Sequence, residues 1–117
     1  MTLMQDMLPA VQDYIDNRNW RNVPIMHGRR FTVTFLAQGE YNLNYLMTAE
    51  PNGTRLVFRV NIGTQINRSD QIEYEYKALS LLAESGVTPR PIFVDDTRKE
   101  LKRGLLIMEY LPGESLD

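Results

Sequence analysis

The chain has 117 residues, 43% apolar and 24% charged, which is enough for one globular domain with a modest core. A formal net charge of −2 implies no basic face and does not favour a nucleic-acid partner, and no apolar run approaches the ~20 residues of a membrane span. The absence of cysteine excludes a disulfide framework or thiolate metal site and fits a reducing cytoplasm, and the single His27 cannot build a histidine metal cluster.

In chain order, the N-terminal "MTLMQDMLPAV" carries an acid early and lacks the basic start of a signal peptide. Leu3, Met7, Leu8, Val11 and Ile15 fall at helical spacing, with Pro9 expected to kink the helix or restart it. Residues Asn17 to Arg30 are polar and irregular and read as a connection, with His27 a solvated loop residue beside Gly28. The period then changes. "FTVTFLAQGEYNLNYLM" holds two runs of strand formers around a centre containing Gly39, a hairpin pattern, and "PNGT" at Pro51 to Thr54 is a turn. "RLVFRVN" follows as a third strand, with Leu56, Phe58 and Val60 on one face and Val57, Arg59 and Asn61 on the other.

After the loop "NIGTQINRSD", a helix opens at Ser69 or Asp70, where Asp70 and Glu73 form a capping box, and closes at Gly86 with Pro89 beyond. Helical phase gathers Ile72, Tyr76, Leu79, Leu82 and Ala83 on one side and places Glu75 among them, while Glu73 lies elsewhere beside Lys77. "TPRPIFVDD" is a short strand bounded by prolines, "DDTRKELKRG" a charged turn, and "LLIMEYL" a buried strand that "PGESLD" ends. The fold class is α+β: a five-stranded antiparallel sheet with one helix packed on it, plus an N-terminal helix.

Glu75 poses a chemical question, because a carboxylate that faces a core needs a cation or several donors. Arg59 is the best partner, being a charged residue in mid-strand, whereas Lys77 and Lys102 look solvent-facing. An Arg59–Glu75 ion pair between third strand and helix is therefore expected. It suits a structural salt bridge at the edge of the core. The sharper reading is a phosphate site, in which the acid aims a guanidinium at anionic oxygens.

The ordered series "FLAQGEYNLNYLM", "LVFRVN", "EYKALSLLAESGVTPRPI" and "GLLIMEYLPGE" resembles the N-terminal lobe of the aminoglycoside phosphotransferase and choline kinase family, which has the protein-kinase-like fold. The resemblance runs from about Phe31 to Glu114. It implies that 1–30 are an N-terminal helix and connection, 31–111 the kinase-like lobe, and 112–117 the start of the inter-lobe linker. It implies that the turn around Gly39 is the nucleotide-positioning loop, with Tyr41 and Asn42 at its tip and return. Only Gly39 is present there, in place of the G-x-G-x-x-G of protein kinases. Arg59 stands where the family's third strand carries a lysine that holds ATP phosphates, and Glu75 matches the helix glutamate that pairs with that cation. Met108 would back the adenine pocket, and the Glu109 carbonyl and Leu111 N–H would meet the adenine edge.

The function implied is the ATP-binding lobe of a small-molecule kinase that transfers the γ-phosphate of ATP to a substrate hydroxyl. ATP and Mg2+ are the implied cofactors and a small-molecule hydroxyl acceptor the partner. The family's catalytic aspartate and magnesium ligands belong to a C-terminal lobe, and the chain ends just past the linker, so no catalytic residue is expected within it. An isolated lobe would also expose the cleft side of its sheet and be prone to self-association. The alternative is a non-catalytic interaction or dimerisation domain in which the Arg59–Glu75 pair is purely structural.

Overall fold

The computed structural model describes residues 3–39, 42–50, 53–62, 76–78, 80, 90–97, 101 and 103–110. Helix α1 (Leu3–Asn17) is followed by strands β1 (Arg30–Gln38), β2 (Asn42–Glu50), β3 (Arg55–Asn61), β4 (Pro91–Asp95) and β5 (Leu105–Glu109). They form one sheet in the order β1-β2-β3-β5-β4, with every neighbouring pair antiparallel. Residues 76–78 and 80 are helical. The expected capping box at Asp70, the closing Gly86 and the inward positions Ile72, Leu79, Leu82 and Ala83 lie outside the described residues. No helix among the described residues is long and apolar enough to cross a membrane.

Alternation on the strands produces two different faces. On one, Leu56, Phe58 and Val60 of β3 join Leu43, Tyr45 and Met47 of β2 and Leu105 and Ile107 of β5. α1 covers this face with Met7, Val11, Tyr14 and Ile15. The helix runs through Pro9 as one element and does not restart there. Apolar anchors on both sides of the proline, Met7 and Val11, hold the helix onto the sheet at the cost of one backbone hydrogen bond. On the opposite face Val57, Leu106 and Met108 are buried, with Tyr76 of the helical segment packed against them. The middle strand is thus buried on both sides.

The stretch from Asn17 to Arg30 is a connection, yet it contributes two core residues that its polar average hides. Trp20 and Met26 are both buried. The Trp20 indole N–H donates to the Ile15 carbonyl at 2.8 Å, capping the end of α1, and its ring meets Phe93 of β4 edge-on at 5.1 Å. Gln12 lines the outer edge of β1, its amide donating to the Phe31 carbonyl at 2.9 Å and accepting from Val33 N–H at 3.0 Å. That satisfies part of an edge that would otherwise invite pairing with another chain. His27 is exposed. The β2–β3 turn closes through Ala49 N–H to the Thr54 carbonyl at 2.7 Å, with Gly53 at φ 77°, a left-handed conformation that favours glycine.

A polar clamp ties α1 to β4. The Tyr14 hydroxyl donates to Asp95 Oδ2 at 2.6 Å, and Thr97 donates to Oδ1 through its hydroxyl at 2.7 Å and its N–H at 2.9 Å. Arg18 stands 3.8 Å from Asp95, its guanidinium over the rings of Tyr14, Trp20 and Phe93 at 4.9–5.7 Å. Burial alone would raise the Asp95 carboxyl. The donors from Tyr14 and Thr97, with the Arg18 charge, outweigh it and hold the group below its ordinary value. A depressed carboxyl contributes stability that is present above its unfolded pKa and is lost as pH falls through the folded one. Tyr14→Phe should therefore cost about 1.5–3 kcal/mol at neutral pH, a hydrogen bond to a charged group. In denaturant melts the gap from the parent protein should shrink as pH drops below about 4.

Candidate functional site

The face turned away from α1 carries the buried polar side chains of the middle strands. Strand register places its side chains in three rows across β2, β3 and β5. Leu46, Val57 and Met108 stand abreast, then Asn44, Arg59 and Leu106, then Asn42 and Asn61. Each row lies two residues from the next along β3, about 7 Å. The face thus grades from an apolar end, through a cation, to an amide end.

The apolar row is built out by neighbours. The β1–β2 register shifts between Phe35 and Ala37, a bulge that separates two adjacent residues. Phe35 lies 47% exposed on the α1 side, its ring 6.5 Å from Tyr45, while Leu36 packs against the cluster on the opposite face. Val94, Tyr76 and Tyr110 pack against the same cluster, and the Arg55 guanidinium covers the Tyr110 ring at 5.0 Å.

Arg59 is the centre of the face. It is only 9% exposed, and burying a cation in mid-sheet costs several kcal/mol unless donors are matched by acceptors. Its Nε–H donates to Oδ1 of Asn44 at 2.9 Å, and Asn44 is fully buried. Asn61 Nδ2 stands 3.5 Å from Asn42 Oδ1, a long contact, and Asn61 N–H donates to the Gly104 carbonyl at 3.0 Å. Gly39 N–H donates to the Asn42 carbonyl at 2.9 Å, so the amide row adjoins the β1–β2 turn.

Of the site residues expected from sequence, Arg59, Asn42 and Met108 share this face, and Gly39 borders it. Glu109 alternates onto the other face, where its carboxylate accepts Arg90 N–H at 2.9 Å while its own N–H donates to the Arg90 carbonyl at 2.9 Å. The side chain and the N–H are thus both engaged by Arg90. Tyr41, Glu75 and Leu111 lie outside the described residues, and with them the expected Arg59–Glu75 pair. Tyr76, the next residue after Glu75, packs on the same sheet face as Arg59. Among the described residues no group of three or more His, Cys, Asp or Glu side chains is placed to hold a metal ion.

The sequence did not single out Asn44, nor Leu36 and Val57 of the apolar cluster beside it. A signal for Asn44 was present. Asparagine is disfavoured inside strands, and "NLNY" against "FRVN" sets amides at alternate positions facing the arginine once the hairpin is in register.

The family model for the phosphotransferase enzyme family matches residues 32–117. No curated protein and no solved structure matches the chain.

The placement of Glu109 has a direct test. Glu109→Ala should lower the denaturation midpoint by the equivalent of about 1 kcal/mol, the loss of one side-chain hydrogen bond that ties Arg90 to the end of β5. A midpoint unchanged within error would mean that this bond contributes nothing.

Proposed function

We propose that this chain, which belongs to the phosphotransferase enzyme family, forms the ATP-binding lobe of a small-molecule kinase that phosphorylates a hydroxyl in the cytoplasm. The carrying observation is the position of Arg59, a buried guanidinium between an apolar row and an amide row. A nucleotide is apolar and flat at one end and anionic at the other. Leu46, Val57 and Met108 suit the base, and Arg59 suits the phosphates, because a guanidinium stays charged and binds two oxygens at once. The row spacing of about 7 Å along the strand separates base from phosphates in the right sense. Gly39 lets backbone approach the phosphate chain closely at the amide end. Tyr41 would lie at the tip of that loop, Glu75 would aim the Arg59 guanidinium from the helix, and the Glu109 carbonyl with the Leu111 N–H would hold the adenine edge.

When bound, ATP supplies the phosphoryl group, and Mg2+ neutralises charge on its oxygens. This lobe's own residues bind and orient. The reaction forms a bond from the acceptor oxygen to the γ-phosphorus and breaks the bond to the β–γ bridging oxygen. The hydroxyl proton passes to a base that, with the metal ligands, belongs to a C-terminal lobe. Positioning and electrostatics are the means of such catalysis.

The competing reading, an interaction domain with a structural Arg59, is separated by one variant. In the full-length protein Arg59→Met keeps most of the side-chain volume and removes the charge. Calorimetric titration should show ATP affinity reduced about tenfold or more while adenosine affinity is retained. Unchanged ATP affinity together with lost stability would assign Arg59 to structure alone.

A further inference from the structure

We infer that Asn44 is the positioning residue for Arg59, fixing how the guanidinium presents itself to phosphate; this rests on the reading of Arg59 as the phosphate-holding cation. Asn44 lies directly across β2 from Arg59 in register. Its amide is fully buried and Oδ1 accepts the Nε–H at 2.9 Å.

That choice of atom matters. A guanidinium is planar, and its Nε–H is the donor nearest the stem. Holding Nε–H sets the roll of the plane and leans the group toward β2, away from Leu106 on the β5 side. The bond to Nε–H does not use the terminal Nη edge, the part of the group that matches two phosphate oxygens. A free arginine spreads over many rotamers, so fixing it beforehand removes an entropy cost that binding would otherwise meet. Asn44 serves this purpose without adding a charge of its own, since an amide oxygen is a neutral acceptor. A lysine at position 59 has no stem donor. Its single ammonium would either turn to Asn44 or to phosphate with no defined plane, so asparagine and arginine form a matched pair.

The test is a cycle in the full-length protein with ATP and adenosine as probes: the parent protein, Asn44→Val, Arg59→Met and the double variant. Asn44→Val should weaken ATP about tenfold and leave adenosine within about twofold. In the Arg59→Met background the same change should alter ATP affinity by less than about threefold, because Asn44 acts through a group no longer there. If Asn44→Val does not fold, Asn44→Ser replaces it, with a side chain too short to span to Nε and the same expected outcome. Three results overturn the inference: ATP affinity kept in Asn44→Val, an equal ATP loss in both backgrounds, or a parallel loss of adenosine. If Arg59→Met itself leaves ATP affinity unchanged, the parent reading falls and takes this inference with it. If Arg59→Met weakens ATP and Asn44→Val does not, this inference alone falls.

Discussion

A charged guanidinium buried in the middle strand of a sheet that is covered on both sides is the constraint from which the rest follows. Such a group needs acceptors, and they must come from the face on which it stands. The period of two keeps that face separate from the apolar one: Leu56, Phe58 and Val60 serve the core under α1, while Val57, Arg59 and Asn61 serve the other side. Slipping β3 by one residue would drive Arg59 into the aromatic core beside Tyr45 and turn Phe58 out of it, so register and site are specified together.

The outer half of the molecule supports that arrangement. α1 seals one face, Trp20 caps its end, and Asp95 gathers Tyr14, Arg18 and Thr97 into a clamp on β4. These contacts reach the opposite surface only through the sheet. What they give the site is a stiff platform, with functional side chains on strands rather than on loops. The bulge between Phe35 and Ala37 breaks this regular platform, turning Leu36 toward the apolar cluster on the Arg59 face.

Much of this was legible in the sequence. Alternation in "RLVFRVN" separated the two faces of β3, and the two strand-forming runs around Gly39 marked a hairpin. Family membership, too, was written in the order of four motifs. What stayed hidden depended on tertiary pairing. Trp20 and Met26 sit in a stretch whose polar average reads as loop, and only the sheet beneath makes them core. Asn44 stands out only as a disfavoured strand residue, and its role needs β2 and β3 in register, where its amide meets Nε of Arg59. The Glu109 side chain, to which the sequence assigns no role, turns by its parity along β5 to the Arg90 N–H.

The central claim is that one face of this sheet receives a nucleotide, base against Val57 and Met108 and phosphates against Arg59. Its most direct test is NMR titration of the full-length protein, following the Val57 and Met108 methyl groups and the Arg59 Nε–H. ATP should shift all three signals, and adenosine should shift the methyl groups while leaving Nε–H in place. Shifts confined to the α1 side, at Val11 or Val33, or none at all with ATP, would contradict the account.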